Sequence, residues 1–256
     1  MKNIAVLSLS GGMDSTSLLI KLLAEEYDVY SVSFDYGQKH KAELQVLQKN
    51  LTYLSQKGFH VEHKIINVEQ LGQLLTSSLT DESKSIPTGH YNSENMLSTV
   101  VPNRNAIFSS IVYGYALSIA KHHNTNVGIF LGVHSGDHEI YPDCRPEFYK
   151  ELEQAFKTGN WDSESVGFEL PFLLLNKTEI LYSCLEDCKK LGLDFDTVIG
   201  NTLTSYNAEK GISTGTSGSD IERIEAFINI GRKDPIPYEL GWEETVKRAK
   251  EILNRY

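Results

Sequence analysis

The sequence predicts an α/β protein, a doubly wound parallel five-stranded sheet with a small C-terminal helical appendix. Three observations carry this. Short apolar runs alternate with segments of helical spacing from the N-terminus to about residue 193, and that alternation builds parallel sheets covered on both faces. The first apolar run breaks at a Gly-Gly pair that leads straight into a helical pattern. From about Asp194 the alternation stops, which divides the chain into residues 1–193 and 194–256.

The elements follow in order. "NIAVLSL" reads as a strand, "STSLLIKLLAEE" as a helix and "DVYSVSFDY" as a second strand. "QKHKAELQVLQKNLTYLSQKG" has helical spacing and precedes a third strand, "HVEHKIINV". Residues 69–99 are polar and weakly patterned. "RNAIFSSIVYGYALSIAKHH" reads as a buried helix and "NVGIFLGV" as a buried strand. "RPEFYKELEQAFKTG" is helical, "FELPFLLL" extended and "KTEILYSCLEDCKKLG" helical again. In the appendix, "IERIEAFINIG" and "GWEETVKRAKEIL" have amphipathic spacing, which suits intramolecular packing or a homodimer.

Composition narrows the function. The 256 residues are 40% hydrophobic, enough for one sizeable core. A net charge of −10 disfavours a general nucleic-acid binder, because phosphate contacts need a basic face. The N-terminus shows no signal-peptide pattern, and the longest apolar stretch is too short and Ser-rich to span a bilayer. Cys144, Cys184 and Cys188 make no disulfide framework. A cytoplasmic protein with a small-molecule substrate, no nucleic-acid partner and no membrane is the expectation.

In parallel sheets ligands bind at the carboxyl ends of strands, so the residues there matter most. The first strand ends in "SLSGGMDSTSLL". Gly11 and Gly12 permit a tight turn with bare N–H groups, the next helix offers its positive end, and Ser10 and Ser15 add hydroxyls. This is an anion cradle. Asp14 would repel a phosphate unless a cation such as Mg²⁺ lay between them. The Lys of the Walker loop is absent. Arg104, heading the central helix, is a fixed cation suited to phosphate or carboxylate. Asn176 and Glu179 read equally as a helix cap with its partner or as functional groups. His134 and His138 are spaced as a metal pair but follow a strand, so a metal site there is disfavoured. Cys144 reads as a structural thiol rather than a nucleophile, and Cys184 and Cys188, one helical turn apart, face the core.

"SGGMDS" between a first strand and a first helix resembles the loop of the PP-loop ATP pyrophosphatases, the adenine nucleotide alpha hydrolase-like fold. With "SFDYGQKH", "STVVPNRN", "GVHSGDHEIYPDCR" and "ELPFLLLNKTE", the chain resembles the 7-cyano-7-deazaguanine synthases from Asn3 to about Tyr238. The resemblance implies ATP and Mg²⁺ as cofactors and 7-carboxy-7-deazaguanine as substrate. Its carboxylate is adenylated and captured by ammonia as an amide, which a second activation dehydrates to the nitrile of queuosine biosynthesis. Ser10, Gly11, Gly12, Asp14 and Ser15 would then hold pyrophosphate and metal, and Asp35 and Tyr36 the nucleotide. Asp14, Arg104, Asp137 and Lys177 take the catalytic roles. Asp137 and Asp143 suit the N–H donors of a guanine-like edge, Arg145 the substrate carboxylate, and Lys177 the charge that builds on the adenylate.

The same resemblance implies a zinc knot near the C-terminus, yet Ser205, Thr214, Ser217 and Asp220 stand at its four cysteine positions, with Gly215 and Tyr206 retained. Neutral hydroxyls and one carboxylate make a poor zinc cage, so zinc is expected to be absent and the loop held by hydrogen bonds or a partner, or mobile. Two further readings stay open. A remodelled rim would let a protein amine capture the acyl group, as in synthase-like proteins of antiviral defence operons. A non-catalytic nucleotide or deazapurine sensor is the other.

Overall fold

In the computed structural model, which describes residues 2–37, 42–75, 77–78, 98–137, 141–205 and 211–253, five parallel strands form one sheet in the order β3-β2-β1-β4-β5. They are β1 (Ile4–Ser8), β2 (Asp28–Asp35), β3 (Val61–Asn67), β4 (Val127–Phe130) and β5 (Val166–Glu169). The order runs outward from β1 in both directions, so the crevice between the ends of β1 and β4 is the topological switch point.

Helices cover both faces. One core packs α1 (Met13–Ala24), α2 (Ala42–Gln56) and α6 (Lys177–Leu191) on the sheet through residues such as Leu18, Leu47 and Ile180. The other packs α4 (Arg104–His123) and α5 (Pro146–Gly159) through Val112, Tyr113, Ala116 and Tyr149. A short α3 (Glu69–Leu74) lies in the stretch that the sequence left unpatterned. Cys184 and Cys188 are buried on the first of these faces, with sulfurs 4.0 Å apart as free thiols.

β5 is shorter than expected and starts earlier. Pro171 has no N–H to give to a ladder, and the chain turns after Glu169, with Leu173 N–H bonded to Leu170 O and Leu175 N–H to Phe172 O. This turn delivers Asn176 to the head of α6.

The segment from Asp194 holds α7 (Phe195–Gly200), α8 (Gly218–Asn229) and α9 (Trp242–Leu253). Phe195, Val198, Ala226 and Phe227 join the α1/α6 core, while Ile221, Ile224, Tyr238 and Ala249 form a third cluster between α8 and α9. The amphipathic stripes of both helices thus meet within the chain. No helix among the described residues is long and apolar enough to cross a membrane.

Candidate active site

The loop after β1 closes on itself through its serines. Ser15 Oγ accepts from Ser10 N–H at 3.2 Å and lies 3.0 Å from Ser10 Oγ, while Gly12 N–H donates to Ser10 Oγ at 3.2 Å. Gly11 has φ +90°, and a Cβ there would stand 2.7 Å from Glu43 O, so only glycine fits both the turn and the approach of α2. Gly12 is the N-cap of α1 and has no side chain to cap the helix, which leaves its first amides to a ligand.

Arg104 begins α4 directly after Asn103, a non-glycine residue at φ +58°. Asn tolerates this left-handed conformation better than most residues, and it turns Arg104 toward the loop. Arg104 Nη1 donates to Tyr36 Oη at 3.4 Å. Burial raises the Tyr36 phenol above its ordinary pKa, against the opposing guanidinium. Burial likewise pushes the Glu43 carboxyl up to about 8, with Arg104 pulling the other way.

Two adjoining cavities of about 220 Å³ each flank the loop and share Ser8, Ser10, Arg104, Asn105 and Phe108. The first adds Phe34, Tyr36 and Glu43, and its Phe34 and Phe108 rings stack at 4.0 Å. The second adds Gly12, Asp14, Ser15, Gly132, Cys144 and Tyr149. At Gly132 a Cβ would lie 3.2 Å from the backbone of Ser15, so the β4 loop is pressed against the cradle.

Lys177 is the first residue of α6, 7% exposed, with its ammonium 3.9 Å from Asp14 Oδ2. His134 Nε2 lies 3.7 Å from the same oxygen, and its Nδ1 accepts from Gly136 N–H at 3.1 Å. Asn176 and Glu179 form a reciprocal capping box, which fixes where α6 begins and so where Lys177 stands.

Ser10, Gly12, Asp14, Ser15, Tyr36, Arg104 and Lys177 therefore converge. Asp35 ends β2 and spends Oδ1 on the Gly37 amide at 3.2 Å. Asp143 and Arg145 line neither cavity, whereas Cys144 between them lines the second and accepts from Asn105 Nδ2 at 3.4 Å. The side chain of Asp137, together with His138 and Tyr206, lies outside the described residues.

The four positions where the resemblance implied cysteines, Ser205, Thr214, Ser217 and Asp220, gather around the carboxylate of Asp220. Asp220 Oδ2 accepts from Ser205 Oγ at 2.9 Å, Thr216 N–H at 3.2 Å, Ser217 N–H at 3.3 Å and Thr214 Oγ1 at 3.5 Å. Ser217 Oγ in return caps α8 through Asp220 N–H at 3.2 Å. Gly215 has φ +73°, and a Cβ there would stand 2.7 Å from Thr245 Cγ2. Hydrogen bonds hold this loop where metal–thiolate bonds were implied. Among the described residues no group of three or more His, Cys, Asp or Glu is placed to hold a metal ion.

Burial raises the Asp220 carboxyl above its ordinary pKa, partly offset by the bonds from Ser205, Ser217 and Thr216. A folded-state pKa above the unfolded value contributes stability that is present at low pH and lost as pH rises through it. Relative to Asp220→Asn, the wild type is therefore expected to lose melting temperature as pH rises from about 4 toward neutrality. Thermal unfolding of both proteins across that range checks the sign.

Sequence missed Glu222 and Arg223, adjacent on α8. Glu222 Oε2 lies 2.8 Å from Lys177 Nζ. Arg223 is wholly buried and makes a bidentate pair with Asp234, Nε to Oδ2 at 2.7 Å and Nη2 to Oδ1 at 2.9 Å. The spacing 220, 223, 224, 227 places Asp220 and Arg223 on one stripe with Ile224 and Phe227, a signal that could have found Arg223. Glu222 is off that stripe and carries no such signal.

The chain is similar to 7-cyano-7-deazaguanine synthase of Methanoregula boonei, 42% identical over 92% of this chain and 99% of the relative. It is also similar to 7-cyano-7-deazaguanine synthase 2 of Colwellia psychrerythraea, at 43% over 94% and 100%. The synthase of a Marinomonas strain is 40% identical over 93% and 100%. With the family model described as queuosine biosynthesis protein QueC matching residues 4–231, this chain belongs to the QueC family.

Proposed function

We propose that the chain is an ATP-dependent carbon–nitrogen ligase that converts 7-carboxy-7-deazaguanine to 7-cyano-7-deazaguanine. The observation that carries this reading is the meeting of Lys177 and Asp14, 3.9 Å apart, over the uncapped head of α1 and beside a second, aromatic-walled cavity. The residues fit the groups the reading needs. Asp14 Oδ1 is buried with no hydrogen-bond partner, which suits a hard, oxygen-seeking cation. Mg²⁺ held there would offset the phosphate charge that Asp14 alone would repel.

The amides at the head of α1, with Ser10 and Ser15, hold the pyrophosphate portion of ATP, and the Phe34/Phe108 wall suits the adenine. Arg104, between the two cavities, faces phosphate or carboxylate. The substrate carboxylate attacks the α-phosphorus and pyrophosphate leaves. Lys177 stabilises the charge that builds in that step. Ammonia then attacks the acyl carbon, AMP and a proton leave, and the amide forms; the amide oxygen attacks the α-phosphorus of a second ATP with release of pyrophosphate, and loss of AMP and the remaining N–H protons gives the nitrile.

Residues 1–193 supply the cradle and cavities, and residues 194–256 close the site through α8. Ammonia is the acceptor in this reading, in keeping with relatives that are 7-cyano-7-deazaguanine synthases. Mass spectrometry after incubation with ATP, Mg²⁺, 7-carboxy-7-deazaguanine and ammonium tests this. Nitrile and AMP support the reading; amide that accumulates without nitrile, or a mass shift on a protein, overturns it. Treatment with EDTA followed by excess Mg²⁺ is expected to leave both turnover and melting temperature unchanged, since hydroxyls and one carboxylate do not retain zinc. A lasting loss restored by zinc would refute that.

A further inference from the structure

Building on the ligase reading, we propose that Glu222 is the positioning residue for Lys177, and that the hydrogen-bonded knot around Asp220 exists to hold Glu222 in place. Lys177 lies between two carboxylates but is unequally shared, 2.8 Å from Glu222 Oε2 and 3.9 Å from Asp14 Oδ2. Both partners of the shorter contact are largely buried, at 7% and 14% exposure, so the pair is screened far less than a surface one. An ammonium on a four-carbon stem has many rotamers, and a carboxylate fixed against it selects one.

Glu222 is itself fixed. A Cβ on Gly136 would come within 2.6 Å of Glu222 Oε1, so the carboxylate is wedged between the β4 loop and Lys177. Its neighbours on α8 are pinned from the other side. Asp220 gathers the knot's hydroxyls and amides, and Arg223 is clamped by Asp234, Thr202 and Thr204. The helix therefore cannot turn Glu222 away without breaking buried polar bonds. Glu222 also sets a balance of charge, because it draws the ammonium away from Asp14, the carboxylate that the ligase reading assigns to the cation.

The test uses the full chain with Glu222→Gln and Glu222→Asp. Trace acetic anhydride labelling, read by peptide mass spectrometry, reports how available the Lys177 amine is, with Lys21 and Lys157, each paired to a glutamate one helical turn away, as internal references. In Glu222→Gln, Lys177 labelling is expected to rise several-fold while the references stay constant, and Glu222→Asp is expected to restore much of the protection. Adenylate formation by Glu222→Gln should fall about tenfold in kcat, with KM for ATP within about twofold of wild type. A purely structural ion pair would lower the melting temperature without that split. Unchanged labelling, or increased labelling with unchanged kcat, overturns the proposal. A wild type that forms no adenylate overturns the ligase reading instead, and the labelling still reports whether Glu222 holds the lysine.

Discussion

Replacing Lys177 with alanine is expected to slow acyl-adenylate formation by about 10²–10³-fold, the usual cost of removing one preorganised donor from a site of developing charge. KM for ATP should stay within about twofold, because the cradle that holds the phosphates is built from α1 and the Ser10/Ser15 pair rather than from α6. Pyrophosphate release in a single turnover with saturating substrates is the measurement. The reasoning is geometric. The Asn176–Glu179 capping box sets the first turn of α6, and Lys177, at 7% exposure, stands beside Asp14 and Glu222. Lys177→Arg is not expected to rescue, since a planar fork does not fit a seat shaped for one compact ammonium between Glu222 and Asp14. Pyrophosphate release by Lys177→Ala at a rate near wild type would remove the lysine from the chemistry and leave the ion pair with Glu222 a structural contact.

The cradle was legible in the sequence because its six residues are consecutive and their chemistry is local. Gly11 and Gly12 announce the turn, the serines the donors, and the following pattern the helix. Lys177 came from the resemblance, which set it just past the fifth strand; that strand ends earlier, at Glu169, and the capping box at the head of α6 is what stands the lysine 3.9 Å from Asp14. Glu222 was not. It lies 45 residues beyond Lys177 in an amphipathic helix, where a glutamate beside Ile221 reads as a solvated face, and only the packing of α8 on α6 turns it inward. The knot was half legible. The resemblance implied thiolates where Ser205, Thr214, Ser217 and Asp220 stand, but hydroxyls point wherever a partner lies, and the convergence of the Ser205 and Thr214 hydroxyls on one Asp220 oxygen is a tertiary fact.

Asp234→Ala is expected to be the most destabilising single change in the C-terminal segment, at about 3–5 kcal/mol, which for a chain of this size lowers the melting temperature by on the order of 10 °C. Asp234 saturates its carboxylate: Oδ2 accepts from Arg223 Nε at 2.7 Å and Tyr238 Oη at 2.8 Å, and Oδ1 accepts from Arg223 Nη2 at 2.9 Å and Ile236 N–H at 3.2 Å. Removing it strands a guanidinium that is wholly buried, with Thr202, Thr204 and the carbonyl of Ile199 as its described hydrogen-bond acceptors. A guanidinium does not escape this by losing its proton. The cost thus comes from the charge left behind rather than from the bonds lost, and that distinction can be tested. The double variant Arg223→Met/Asp234→Ala removes the stranded charge and is expected to recover part of the lost melting temperature, even though it deletes more contacts. If the double variant is instead less stable by the sum of the two single losses, the pair acts as ordinary packing and Arg223 is not the anchor of α8. Because Arg223 follows Glu222 directly, Asp234→Ala should also expose Lys177 to acetylation at temperatures well below unfolding, and this would register the loosening of the helix in the active site.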